Sequence, residues 1–316
     1  YAFEDSHDLY SNKERSGYEN RTWWLKEIRS ALAPDGYFQT GCDIVMGNPF
    51  LGEYFTNYRY GIDIGGGNWD YVKTNYLWGA ACFATHTGDL FVPNSDAIGL
   101  LPGLNDMDAM FCVNYCLVTH TMVEIAGKLS EAKECDRLKV LRKATCNPNN
   151  GQDVFFAGYD YRCNHYSVPE VMYFKTPHFS VVENNSVLPL RTVGLFNVDE
   201  QEKTVGFALS QLGEYILTDV WTGEQYTATD AFCAVLPAHG SRLLAVSKAG
   251  GMKLYDANVR VVDASVQDDV LTIQVDYAYK NAEFFFHAVP KAIACEGAEL
   301  PFTVENGAVK LAVPEK

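Results

Sequence analysis

The sequence predicts an α/β segment followed by an all-β segment, and three observations carry that reading. Between about residues 20 and 130, helical periodicity alternates with short apolar runs, the pattern of a parallel sheet with crossover helices. Near residue 180 the pattern gives way to short strands punctuated by Gly, Asn, Asp and Pro, at intervals close to those of a β sandwich. Apolar residues make up 47% of the chain and aromatic ones 13%, enough to fill packed cores and to exclude a disordered chain.

The elements follow in order. A helix is predicted over 22–32, with Leu25, Ile28 and Leu32 on one face and Ala33-Pro-Asp-Gly36 ending it. Residues 37–42 form an apolar run after a Gly turn and read as a buried parallel strand. Residues 57–64 read as the next strand and loop, 70–85 as a helix carrying Tyr71, Tyr76, Leu77 and Trp78, and 89–92 as a third strand. A long helix is predicted over 106–129, with Met107, Met110, Phe111, Tyr115, Val118, Met122 and Ile125 spaced for burial. Downstream, strands are predicted over 192–197, 203–209, 215–219, 231–236, 242–246, 258–264, 270–277 and 283–289. The expected organisation is therefore an α/β unit over 1–180 and an antiparallel β-sandwich over 181–316. Residues 250–316 either extend that sandwich or form a second small β module.

Composition narrows the function. A length of 316 residues suits two domains at the usual ~100–200 residues each. The net charge of −15 argues against nucleic acid and anionic membrane surfaces as partners, since both call for clustered Lys and Arg. No apolar run is long enough to span a bilayer, and the opening Tyr-Ala-Phe-Glu-Asp lacks the basic-then-apolar start of a signal peptide. Nine cysteines show neither a CxxC pair nor a zinc-type Cys/His spacing, and Cys112 and Cys116 lie one helical turn apart as buried small hydrophobes would. Reduced thiols and a cytoplasmic compartment are the expectation, with secretion left open. His86, His120, His165 and His239 show no metal-ligand spacing, so no metal is expected. Gly65-Gly-Gly67 lacks the spacing and the following Lys of a phosphate loop, so no cofactor is expected either. A homo-oligomer remains open.

The chemistry concentrates in Arg59-Tyr-Gly-Ile-Asp63-Ile-Gly-Gly-Gly-Asn-Trp69, which follows Gly41-Cys42-Asp43. A carboxylic acid can protonate a glycosidic oxygen, a guanidinium can fork onto hydroxyls or a carboxylate, and an indole face can cover a sugar ring. On spacing alone, a surface ion pair between Arg59 and Asp63 fits equally well.

Gly41-Cys42 with Arg59-Tyr-Gly-Ile-Asp63 and Trp69 resembles the "GC…RxGxD…W" block of melibiase-type α-galactosidases, glycoside hydrolase family 36 and its relative family 27. Gly88-Asp-Leu-Phe-Val-Pro-Asn-Ser-Asp96 stands where that family has an Asn-Asp-Pro-Asp segment. Val193-Gly-Leu-Phe-Asn197, the stretch from Leu212 through Asp219 and Trp221 to Gly223, and Leu236-Pro-Ala-His-Gly-Ser-Arg-Leu-Leu244 are similar to pieces of the family's C-terminal β domain. The resemblance covers roughly residues 38 to 246.

It implies the C-terminal half of a (β/α)8 TIM barrel followed by the β-sandwich, with the site at the C-terminal ends of barrel strands. The implied activity is retaining hydrolysis of a terminal α-linked galactose, or α-N-acetylgalactosamine, on an oligosaccharide substrate. Asp63 falls on the acid/base position, and Arg59, Cys42 and Trp69 on substrate-binding ones. Cys42 also fits as a structural thiol, and Trp69 as a core residue. Asp43 stands where the family has a small residue, and Asp96 reads as structural. The family's nucleophile sits on a Lys-x-Asp strand that would precede Tyr1, and Asp5 is a poor substitute. The chain alone is therefore expected to be inactive. The alternative is a non-catalytic carbohydrate-binding or structural protein on the same scaffold.

Overall fold

The computed structural model describes residues 14–41, 53–59, 63–64, 68–76, 92–94, 96, 98–99, 104–119, 122, 124–127, 130, 137, 140, 154–157, 171–175, 191–209, 213–250, 254–257, 259, 261–268, 270–275, 281–286, 288–305 and 308–312. Helix α1 (Gly17–Ala31) begins well before the predicted start because Ser16 caps it. Ser16 Oγ accepts from the Glu19 amide at 3.2 Å, and Glu19 Oε2 accepts from the Ser16 amide at 2.7 Å. At its far end Arg29 donates to the carbonyls of Pro34 and Gly36, closing the turn into the first strand.

Strands β1 (Gln39–Gly41), β2 (Asn57–Arg59) and β3 (Val92–Asn94) form a parallel sheet in that order, with Gly41, Arg59 and Asn94 in register. Helix α2 (69–76) follows β2, and the Asn68 side chain caps it by accepting from the Asp70 amide. Of the apolar residues predicted there, Tyr76 is buried and Tyr71 exposed, while Leu77 and Trp78 lie outside the described residues. Strand β3 runs beyond the predicted end at Val92 to Asn94, while the predicted residues 89–91 lie outside the described residues. Short β4 (Ile98–Gly99) pairs in parallel with β5 (Ile125–Ala126).

Helix α3 (Asp106–Thr119) stops earlier than predicted. The sequence beyond it places Thr119, Thr121, Val123 and Ile125 at alternating positions, and β-branched residues at that period favour a strand. Met122 bridges to Asn94 in parallel fashion, so Met122 and Ile125 belong to the sheet side and Met107 is exposed. Every described side chain from Phe111 to Val118 is buried. Within this helix Cys112 and Cys116 are buried, and burial holds the Cys112 thiol well above its ordinary pKa.

A six-stranded antiparallel sheet follows. It contains β6 (Val154–Ala157), β7 (Val171–Lys175), β8 (Arg191–Phe196), β10 (Tyr215–Asp219), β11 (Gln225–Ala228) and β13 (Ser241–Lys248), in the order β11-β10-β13-β8-β7-β6. It takes in two strands upstream of residue 180, where the sequence reading assigns no element. Val-Phe-Phe-Ala and Val-Met-Tyr-Phe are short unbroken apolar runs, whose periodicity does not separate strand from buried helix. The second layer is β9 (Lys203–Ala208) paired with β12 (Ala231–Leu236).

Alternation along the central strands sorts their side chains. Val193, Leu195, Leu244 and Val246 pack with Val205, Ala234 and Leu236 of the β9–β12 layer. Phe196, Leu243 and Ala245 point the other way, into a core shared with α2 and α3. The C-terminal region builds a separate core. Strands β14 (Leu254–Ala257), β17 (Asn281–Phe286), β20 (Phe302–Glu305) and β21 (Ala308–Ala312) form one sheet, covered by the hairpin of β15 (Val261–Gln267) and β16 (Val270–Val275). A short hairpin of β18 (Ala294–Cys295) and β19 (Ala298–Glu299) turns through Glu296 and Gly297, both at positive φ.

Two outcomes are expected. A Cβ on Gly194 would lie 2.5 Å from the Phe196 ring and 3.2 Å from Val118, so Gly194→Ala forces α3 away from the sheet. It should cost about 1–3 kcal/mol in denaturant unfolding, with part recovered in a Phe196→Leu background. The second concerns α1. Its Glu19 carboxyl is held below the ordinary value by the Ser16 amide and hydroxyl. That contribution is present above the unfolded value and lost as pH falls through the lowered folded value. Thermal scans should therefore show Glu19→Ala losing most near neutral pH, with the gap from the parent chain narrowing on acidification.

Candidate active site

The parallel sheet and its loops bring Arg59, Asp63 and Asp96 together. Arg59 ends β2, Asp63 follows it in the loop, and Asp96 lies two residues beyond the end of β3. All three thus stand past the C-terminal ends of parallel strands. Arg59 Nη2 bonds Asp63 Oδ1 and lies 3.1 Å from Asp96 Oδ1. The two carboxylates differ in exposure: the Asp63 side chain is 85% exposed and that of Asp96 only 10%. Water screens the first pair, which is worth at most about 1 kcal/mol. Removing one partner of the second would leave a buried charge, at a cost of roughly 3–5 kcal/mol.

Asp96 is fixed from below. Its Oδ2 accepts from the Ile64 amide at 2.6 Å, and its own amide donates to Asn94 Oδ1 at 2.8 Å. Its φ of 81° lies in the left-handed region, where a non-glycine residue costs about 1–2 kcal/mol, and those bonds hold it there. Asn94 in turn donates to Glu124 Oε2 at 2.7 Å and to Asn57 Oδ1 at 3.5 Å. Glu124 and burial together raise the Tyr37 phenol above its ordinary pKa, burial contributing more. Glu124, Asn94, Asp96 and Arg59 thus form a continuous polar path that ends at the exposed Asp63 carboxylate.

Chemically, Asp63 offers an open carboxyl beside a permanent cation, a group that can exchange a proton with a bound molecule or with water. Cys42 and Asp43 lie outside the described residues. Trp69 is not on an open wall. It is 9% exposed, packs edge-on against Phe111, and stacks on His239 with ring centroids 3.8 Å apart. As the first residue of α2 it turns into the core, with one face of its indole against His239.

The sequence reading missed the part played by Asp96, Asn94 and Glu124 around Arg59. An Asn-x-Asp at a strand end, able to form an Asx turn, was the available signal.

The residues that carried the C-terminal resemblance also take positions. Asn197 donates to the carbonyls of Gln201, Leu236 and Pro237, tying two turns together. Asp219 accepts from the Trp221 and Thr222 amides and pairs with Arg242 at 3.4 Å, while Gly223 supplies the positive φ of that turn. Trp221 donates its indole N–H to Asn114 of α3 at 2.7 Å, and Asn114 donates to Ser241 at 2.9 Å.

Residues 183–246 match the family model of the alpha galactosidase C-terminal β-sandwich domain. No curated protein sequence matches the chain. Among solved structures, a family 27 β-L-arabinopyranosidase from Geobacillus stearothermophilus is similar at TM-score 0.54 and 17% identity, over 73% of this chain and 55% of that one. A variant of that enzyme in complex with arabinose gives TM-score 0.56 and 16% identity, over 72% and 55%. The isomalto-dextranase of Arthrobacter globiformis T6, complexed with panose, gives TM-score 0.55 and 13% identity, over 75% and 42%. At these identities the likeness is one of fold: the chain has a glycoside hydrolase-like scaffold. It spans about half the length of these enzymes.

Asp96→Ala is expected to destabilise the chain by roughly 3–5 kcal/mol, since it orphans the buried Ile64 amide and one side of Arg59. Asp96→Asn keeps an acceptor and tolerates the left-handed backbone, so it should lose clearly less. Equal losses in urea titrations would remove the Ile64 amide bond from this account and leave the ion pair to carry the loss.

Proposed function

We propose that the chain carries the acid/base part of an α-galactosidase-like retaining glycosidase, on the C-terminal half of a (β/α)8 barrel with the β-sandwich behind it. The observation that carries the reading is the Arg59–Asp63 pair, with Asp63 open to solvent past the end of a parallel strand. In this reading Asp63 protonates the departing glycosidic oxygen and later takes a proton from the attacking water. Arg59, held by Asp96, stays charged beside it and orients substrate hydroxyls, with Cys42 as a neighbouring contact. Trp69 acts from behind, as support for the loop. Retention also requires a second, nucleophilic carboxylate. The substrate is an oligosaccharide ending in α-linked galactose or α-N-acetylgalactosamine.

A second reading, a carbohydrate-binding or structural protein on the same scaffold, draws on the capture of Arg59 by two carboxylates. Leaving-group dependence separates the two. In an active form of the protein, Asp63→Ala should slow hydrolysis of a natural α-linked disaccharide roughly 100- to 10,000-fold. An activated aryl α-galactoside should lose less in its first step, and azide should restore turnover as an azide product of retained α configuration. Equal losses on both substrates, or a β-configured azide, would take the acid/base role away from Asp63. No turnover in the parent enzyme would favour the binding protein.

A further inference from the structure

We propose that His239 is a positioning residue for the loop that carries Asp63: through its stack on Trp69, the β-sandwich holds that loop in place. Only the description of Asp63 as an acid/base rests on the functional reading above; the contact itself stands on geometry.

His239 sits in the tight turn between β12 and β13, where the Gly240 amide donates to the Pro237 carbonyl at 2.9 Å. Its φ of 58° is a conformation that a non-glycine residue keeps only when its surroundings hold it. Three elements do so. The Trp69 ring lies parallel to the imidazole, at 3.8 Å and an interplanar angle of 12°. Asp108 Oδ1, on buried α3, is 2.9 Å from Nδ1, and Glu200 Oε2, in the turn after β8, is 3.0 Å from Nε2. Asp108 is itself held by Asn105, whose side chain accepts from its amide and donates to its carboxylate. The imidazole therefore occupies a socket built by α2, α3 and the turn after β8.

What makes this more than domain packing is where Trp69 lies in the chain. It opens α2 immediately after the Asn68 cap, and the other end of the same loop is Asp63 and Ile64. Ile64 is buried and its amide is bonded to Asp96. The two described ends of this segment are thus held, Ile64 by the Asp96 carboxylate and Trp69 by a ring that the sandwich supplies, with residues 65–67 outside the described residues. Loosening the His239 end frees the segment next to Asp63 without touching Arg59 or Asp96.

Hydrogen exchange at the Ile64 amide in the 316-residue chain reads that freedom directly. His239→Asn keeps a residue that accepts a left-handed backbone and removes the ring. Exchange at Ile64 should then quicken by about tenfold or more beyond the change in global stability, which the amides of the β10–β13 ladder report. Trp69→Phe, which still fills the space against Phe111, should quicken it in the same direction and serves if His239→Asn fails to fold. Val205→Ala, a core truncation on the far side of the sandwich, should not. Exchange at Ile64 within about twofold of the parent in both ring variants, or an equal rise in Val205→Ala, would overturn the proposal. No substrate enters this measurement, so its failure is separate from a failure of the hydrolysis test.

Discussion

A sheet buried on both faces has to be covered twice, and β8 with β13 impose that constraint on everything around them. Val193, Leu195, Leu244 and Val246 demand the β9–β12 layer on one side; Phe196, Leu243 and Ala245 demand α3 on the other. Each such side chain is worth about 1.5–3 kcal/mol when buried, against about 1 kcal/mol for a typical hydrogen bond. Apolar packing therefore drives the association. The polar contacts of Asn114, Trp221 and Ser241 choose the register in which it happens, because a buried amide left unpaired costs more than its bond returns. Gly194 allows the approach by leaving room for the Phe196 ring.

The candidate site shows how one cation can serve two carboxylates of different character. Asp96 is closed in, accepts a backbone amide, and has no solvent to lean on; Asp63 faces water. Environment separates their roles, as it does wherever paired carboxyls divide structural and chemical work. Asn94 and Glu124 complete the arrangement from beneath, so the geometry around Arg59 is set by side chains from β2, β3 and the segment after α3 rather than by the loop alone.

The sequence made the coarse plan legible and hid most of the contacts. Periodicity placed α1, α3 and most sandwich strands, because a burial face repeats along each of them. Arg59 and Asp63 were visible because they are four residues apart. Asp96 was ranked as structural, and its bonds to Arg59 and Ile64 could not be read from a segment that departs from the family pattern. The end of α3 was misplaced because its apolar spacing runs on into a β-branched stretch. His239 carried no signal as a partner of Trp69, Asp108 or Glu200: spacing reports neighbours on one element, and these four residues lie on four different segments.

Helix α3 bears on why such a sandwich accompanies such a sheet. From Phe111 to Val118 it has no polar face to give to water, and its one buried amide side chain, Asn114, is spent on the sandwich. On one side it meets Trp69, Tyr76 and Ile98; on the other, Phe196, Leu243 and Ala245. An isolated α/β unit would have to expose one of those sides, an apolar surface of the kind that drives aggregation. The sandwich is thus the cover that the helix requires, and its motif residues reflect that duty. Asn197 and Asp219 shape turns, and Trp221 and His239 reach across to α3 and α2. Residues that carry the C-terminal resemblance thus hold the scaffold around the candidate site.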